Sequence, residues 1–467
     1  MVPRELSIAI SLVALLLISS LGISSASAPN PAHNGLAAFS SHISHIIFLM
    51  QENHAFDNFY GVYCPTLTKY CSSTANGVPN GTCVPKNPTS PSAGCVVPYN
   101  LTAKQLIVPD MPHDWNSTHS SYNGGAMNGF YAAENAKDLP FGHYNGSTIP
   151  VYFDLAEQYA LGDQFFSSSA TYSLPNHWYM LSSSSPNISM KLAPQVENTS
   201  DKHLYLNQSN ATPTLTDELV NSTVSWKFYD YPLPSYPNAI MATPVPGTAY
   251  DLWNPLAARH QSYLTGLNAH MVARSAFFSD AANGTLPAVS WVIPSPAYSD
   301  HPPMNVSLGQ NWVASVVNAL EGSPEWNSTV LFISWDEYGG YYDHVAPPVV
   351  SADGDGFRVP LLAVGPWVRQ GFIDHQVLDF GSILHLMEKR FKLGCLGPRD
   401  CNAALPLSVF NFNRTARPPI RFPAWSNASY PMPLQSSGKL PKFSPFHGSA
   451  IIGLQELPSR IAPGYED

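Results

Sequence analysis

"HIIFLMQENHAFDNFYG" (residues 45–61) decides the reading of this chain. Its first half, His45-Ile46-Ile47-Phe48-Leu49-Met50, is an unbroken apolar run of strand length, the pattern of a strand covered on both faces. The run stops abruptly on Gln51-Glu52-Asn53-His54, two amides, a carboxylate and an imidazole. In open α/β sheets, ligands bind just beyond the carboxyl ends of strands. Polar groups in that position read as a site. A second stretch, "STVLFISWDE" (328–337), repeats the design and ends on Asp336 and Glu337. With the two strands as neighbours, Glu52, Asn53, Asp336 and Glu337 would bring three carboxylates and an amide oxygen together. Such hard donors suit one divalent cation, with Ca²⁺, Mg²⁺ or Mn²⁺ favoured over Zn²⁺ or Fe.

Working outward, "PAVSWVIP" (287–294) and "RVPLLAVGP" (358–366) read as further buried strands. "GQNWVASVVNALEGS" (309–323) carries Trp312, Val313, Val316, Val317 and Leu320 at helical spacing, and "GSILHLMEKRFKL" (381–393) reads as another helix. Strands alternating with helices predict an α/β fold with a largely parallel sheet. The domain spans 29–400. It carries a Cys-rich insertion at 62–110 and an Asn/Ser/Thr-rich one at 186–285. Residues 401–467 form a Pro-rich C-terminal extension packed on it.

Arg4, the apolar segment Ile8–Leu21 and the small residues ending at Ala28 read as a secretory signal peptide, residues 1–28. The expected location is extracellular or at the cell surface. Fourteen Asn-x-Ser/Thr sequons exceed the roughly four or five that average composition would give, so N-linked glycans are expected. Six cysteines in an exported chain imply disulfides. Cys395–Cys401 closes a short loop. Cys64, Cys71, Cys83 and Cys95 allow three pairings, of which Cys64–Cys71 with Cys83–Cys95 is the local one. Charged residues make up 12% and the net charge is −10, without any Lys/Arg run, which excludes a nucleic-acid partner. No second apolar stretch of about 18 residues follows the signal, so a membrane enters only as the surface that presents a lipid substrate.

Four more clusters carry reactive side chains. "DMPHDWNSTHSSYNGGAMNGF" (110–130) contains His113, and "SSSATYSLPNHWYMLSSSS" (167–185) contains Ser173. "SDHPP" (299–303) supplies His301 and "DEYGGYYDHVAPP" (336–348) supplies His344. These lie in Gly/Pro-rich loops after apolar strands, where function concentrates. Together with "IFLMQENHAFDNFYG", the ordered blocks resemble the phosphoesterase family that holds phosphatidylcholine-preferring and plant non-specific phospholipases C and the AcpA-type acid phosphatases. The resemblance covers residues 43–392.

It implies an alkaline-phosphatase-like three-layer α/β/α sandwich. It also implies Glu52, Asn53, Asp336 and Glu337 as metal ligands, and Ser173 as nucleophile with Thr171 as the other register. His113, His301 and His344 would contact phosphate or move protons. The implied reaction is hydrolysis of phosphoric esters through a phosphoseryl intermediate. "HDW…NGGAMNGF" resembles the bacterial phospholipases C, which favours a phospholipid diester over the monoester of an acid phosphatase. A non-catalytic cell-surface glycoprotein of the same fold is the remaining alternative. The chain departs from the family's pattern at His177 and His54, where Arg is usual, and at Asp379-Phe380-Gly381-Ser382. A histidine holds positive charge only below about pH 6.5, so His177 suggests acidic surroundings.

Overall fold

The structure, a computed structural model, describes residues 31–63, 74–133, 137–186, 209, 211–230, 253–259, 266–350 and 354–423. The signal segment, the Cys64–Cys71 pairing, the extension beyond 423 and the sequons at Asn187, Asn198, Asn207, Asn210 and Asn427 lie outside the described residues.

An eight-stranded sheet forms the centre. Its strands in chain order are β1 (His45–Gln51), β2 (Ala160–Gly162), β3 (Trp226–Asp230), β4 (Met271–Ala273), β5 (Val289–Val292), β6 (Thr329–Trp335), β7 (Leu361–Val364) and β8 (Phe372–Asp374). They lie in the order β8-β2-β7-β6-β1-β5-β3-β4. β1 runs parallel to both its neighbours, β5 and β6. The strand from "RVPLLAVGP" is the exception, since β7 pairs antiparallel with both β6 and β2. The reason lies in its connection. The described residues of 336–357 hold Gly, Pro and Asp but no helix to carry the chain back across the sheet, and a parallel return needs such a crossover.

Alternation along β1 explains why its apolar run is unbroken. Phe48 faces one way, its ring 6.1 Å from Phe380. Gln51 faces the other and donates to the Tyr152 hydroxyl at 3.2 Å. Phe380 opens a helix, Phe380–Phe391, that packs with the N-terminal helix Pro31–His42. Tyr152 belongs to helix Pro150–Gln158, which packs against Val306–Glu321 and through it on Arg274–Asn283. The sheet is therefore sandwiched, as expected for an α/β/α architecture. From the C-terminal segment, Phe410 packs its ring 5.1 Å from Phe39. Disulfides join Cys83 to Cys95 and Cys395 to Cys401. Among the described residues no helix is long and apolar enough to cross a membrane.

One buried ion cluster ties the loops at the sheet's end together. Arg358, fully buried, donates to Asp343 at 2.9 Å and to Asp57 at 3.0 Å. It also donates to the carbonyls of Asn76 and Asp163, each at 2.8 Å. Removing one partner of a buried ion pair strands the other charge in a poorly solvating interior. Arg358→Ala is therefore expected to lower stability by about 3–5 kcal/mol in urea unfolding. A loss below about 1 kcal/mol would mean that the cluster is solvated and not structural.

Candidate active site

The register of β1 and β6 creates the site. Gln51 pairs with Trp335, so the next residues, Glu52 and Asp336, leave the sheet side by side. Both are buried. The ladder continues one step further, with Asp336 N–H donating to Gln51 O at 3.0 Å.

At Asn53 the backbone turns sharply, with φ +57, a conformation asparagine tolerates better than most residues. Its backbone N–H donates to Asp336 Oδ1 at 2.8 Å. The amide oxygen accepts from Ser173 Oγ at 3.4 Å, and the amide nitrogen lies 3.3 Å from His113 Nε2. His113 Nδ1 is 2.6 Å from the Met111 carbonyl. Only an N–H can bond a carbonyl, so Nδ1 carries the proton and the neutral ring accepts at Nε2 from Asn53. The turn leaves no room beside it. A Cβ at Gly339, φ +60, would stand 2.3 Å from Asn53 O, which accounts for the first glycine of "DEYGG".

Ser173 opens a short helix, Ser173–Tyr179, and is buried. The loop before it is clamped by Asn176. The Asn176 side chain accepts from Ser169 N–H at 2.9 Å and donates to the carbonyls of Ser169, Thr171 and Tyr172 at 3.1–3.2 Å. Four residues after Ser173, on the same helical face, His177 places Nε2 2.8 Å from Glu52 Oε1, both side chains being fully buried. Glu52, His177 and Asp336 each offer one ligand atom, all within 4.8 Å of one another. Asp336 Oδ2 is buried with no hydrogen-bond partner among the described residues. Two carboxylates and an imidazole around a buried acceptor fit a divalent cation.

The other candidates divide. Glu337 turns from Glu52 toward His113, 3.7 Å away, and accepts from Gly339 N–H at 2.8 Å. The His301 ring centre lies 6.4 Å from that of His113 and 6.1 Å from Trp253, whose ring is 6.4 Å from His177. These four rings edge the group. His344 is placed apart. Its Nδ1 is 2.6 Å from Asp57 Oδ2 and 3.3 Å from Arg358 Nη2. The loop after Gly340 turns Asp343 and His344 together toward Arg358, so the ring joins the ion cluster. Thr171 is buried, with no hydrogen-bond partner for its hydroxyl among the described residues. Of the two hydroxyls, Ser173 is the one bonded to Asn53. His177 was visible in the sequence only as a departure from Arg. The signal for it was its four-residue spacing from Ser173.

Beneath the site lies a second buried network. Asp300, φ +73, is buried just before His301. Its Oδ2 accepts from the Tyr152 hydroxyl, from Gln51 Nε2 at 3.3 Å and from Trp335 Nε1 at 3.2 Å. Its carbonyl is 3.0 Å from His54 Nε2. Burial pushes His54 down to about 3, against the pull of hydrogen bonds to Asn58 and Asp300. His54 is thus a neutral packing residue and carries none of the charge of the arginine usual there. Burial pushes the Asp300 carboxyl up to about 7.

This geometry has a family attached to it. The chain belongs to the phosphoesterase family, whose pattern matches residues 43–394. It is 28% identical over 464 residues to phospholipase C A of Mycobacterium tuberculosis, with 90% of this chain and 86% of that one covered. It is 27% identical over 432 residues to non-specific phospholipase C6 of Arabidopsis thaliana, with 82% and 75% covered. Among solved structures, lipoteichoic acid synthase LtaP from Listeria monocytogenes aligns over 78% of each chain at 9% identity with TM-score 0.39. The protein is a hydrolase acting on phosphoester bonds.

The Asp300 network makes a pH prediction. A carboxyl raised from 3.8 to about 7 keeps its proton in the folded state where the unfolded chain has released it. Its contribution therefore favours folding at low pH and is lost as pH rises from about 4 to about 7. Asp300→Asn, neutral at every pH, is expected to flatten that part of the stability curve by a few kcal/mol, on the order of 1.4 per pKa unit. Denaturant unfolding of both proteins at pH 4, 5.5 and 7 checks it. Parallel curves would show that Asp300 ionises normally.

Proposed function

We propose that this phosphoester hydrolase acts as an exported, metal-dependent phospholipase C on phosphodiesters, through a phosphoseryl intermediate on Ser173. The observation that carries the reading is the bond from Ser173 Oγ to Asn53 Oδ1 at 3.4 Å, with Asn53 tied to Asp336. It puts a hydroxyl next to a buried acidic group with a cation-binding donor set. Glu52, His177 and Asp336 would hold the ion. An imidazole among the donors shifts the preference from Ca²⁺ and Mg²⁺ toward Mn²⁺, Fe or Zn²⁺. When bound, the cation supplies a Lewis acid that favours ionisation of a nearby hydroxyl and offsets phosphoryl charge.

The chain's own residues account for the rest. Asn53 orients the Ser173 hydroxyl through its amide oxygen. Ser173 Oγ attacks phosphorus, and the bond from phosphorus to the leaving alcohol oxygen breaks with its electron pair. His113, unprotonated at Nε2, takes the proton that Ser173 releases, and His301 passes a proton to the leaving oxygen. Water then attacks phosphorus, the Ser173 O–P bond breaks, and Ser173 regains a proton. Phospholipase C action is supported by the names of the relatives that match most of the chain. Export is supported by the signal-like segment and the sequons. A histidine that ligates a metal is neutral. In this reading His177 therefore does not replace the charge of the usual arginine.

Purified protein is expected to release p-nitrophenol faster from p-nitrophenyl phosphorylcholine than from p-nitrophenyl phosphate between pH 3 and 8. Ser173→Ala should lose at least about 10³-fold in kcat, the scale on which single nucleophile removals act. Mass spectrometry of acid-quenched wild type should find phosphate on the peptide that contains Ser173. Preference for the monoester at low pH would assign an acid phosphatase, and full activity in the variant would remove Ser173 from the mechanism.

The ligand set has its own test. His177→Ala is expected to weaken Mn²⁺ binding to the chelator-treated protein by roughly 10–100-fold, at least the loss seen when a ligand's outer partner is removed. Calorimetric titration reads this without any turnover. Unchanged affinity would move the ion away from His177.

A further inference from the structure

A cavity of about 230 Å³ opens between the chain segments that carry His113 and Ser173. One wall is the helix Trp115–Tyr122, which begins two residues after His113. Facing it are Pro347, Pro348 and Val349, from the chain that follows the Asp336–Gly340 loop. Ala170, three residues before Ser173, completes the link to the nucleophile's loop. The cavity thus shares chain segments with the proposed nucleophile, with His113 and with the β6 carboxyl end.

Three of its polar side chains are already engaged. The Thr118 hydroxyl donates to His113 O at 3.1 Å and lies 3.2 Å from the Tyr338 hydroxyl. His119 turns Nδ1 to Trp115 O at 2.7 Å and stacks its ring on the indole, centres 3.9 Å apart. The Asp355 carboxylate is paired with Arg399, which also bonds Asp379 at 2.8 Å. What faces the space is mostly ring and hydrocarbon. The lining grades from buried Phe357 outward to Val349, 79% exposed, and Trp115, 37% exposed, with Val350, 53% exposed, next in the chain. Exposed valines and an indole grouped at the mouth of a cavity are unusual for a surface that meets only water, and a Trp at a mouth of this kind suits the boundary between lipid and water.

We infer that this cavity takes the apolar body of the leaving alcohol, an aliphatic chain of a glycerolipid, while the phosphoryl group sits by Ser173. The inference rests on the phosphodiesterase reading above and deepens it by naming the part of the substrate that the enzyme reads. At about 30 Å³ per water-sized group, the space holds roughly seven carbons. One short stretch of chain fills it, and the remainder lies across Val349 and Val350. Specificity is then set by the alcohol side of the ester and not by the headgroup.

The test uses the full-length enzyme and phosphatidylcholines with two butanoyl, hexanoyl or heptanoyl chains, all below their micelle concentrations. In the wild type, kcat/KM should rise about fourfold for each methylene that enters the cavity. In Trp115→Ala, and separately in Val349→Asp at an exposed position that tolerates a charge, the rise should fall to less than twofold per methylene, mainly through KM. Wild-type turnover without chain-length dependence would overturn the inference alone. So would variants that keep the wild-type slope, or variants that change the preference for choline over ethanolamine headgroups at every chain length, which would make the cavity a headgroup site. A wild type that cleaves no phosphodiester at all would overturn the underlying functional reading instead.

Discussion

The parallel pairing of β1 with β6 is the constraint on which the site depends. Because Gln51 stands opposite Trp335, the chain must release Glu52 and Asp336 next to each other in a place closed to water. Two carboxylates so placed repel, and each loses hydration. What surrounds them answers that problem. Asn53 bends into a left-handed turn and gives its N–H to Asp336, and His177 brings an imidazole to Glu52. A divalent cation would complete the compensation. The same register presents Gln51 and Trp335 to Asp300, so the network beneath the site is a second consequence of one strand pairing.

The sheet was legible because its strands are covered on both faces. An uninterrupted apolar run then leaves little other reading, and β1, β5 and β6 follow directly from theirs. The direction of β7 is not written in "RVPLLAVGP" itself. It follows from the connection before it, which has no helical period and so cannot supply a crossover. Loops tied by long-range pairs, such as Arg358 to Asp57, carry no local signal at all, since the partners are about three hundred residues apart.

The candidate site was legible in part, for a stereochemical reason. Adjacent residues in an extended segment point to opposite sides. Glu52 and Asn53, or Asp336 and Glu337, therefore do not naturally offer both side chains to one point. The first member of each pair stays with the buried group. The second turns away, Asn53 toward Ser173 and His113, Glu337 toward His113. The missing donor comes from the periodicity that does align side chains, the four-residue step on a helix from Ser173 to His177. Reading motifs as contiguous blocks hides that step.

The location of the charge completes the argument. The surface is poor in ions, yet of 32 Asp and Glu in the chain, fourteen are buried among the described residues, where acids are ordinarily rare. Some are held by arginines, as Asp57 and Asp343 are by Arg358. Burial nonetheless pushes Asp300 and Asp355 up to about 7, Asp343 to about 6 and Glu388 to about 9. Each of these keeps its proton in the fold where the unfolded chain has released it, so each stabilises the fold at low pH and does so less as pH rises toward its folded value. All four act in the same direction. Burial pushes His54 down to about 3, and that imidazole acts the other way, costing stability as pH falls below about 6.5, so the carboxyls and the histidine bound the stable range from opposite sides.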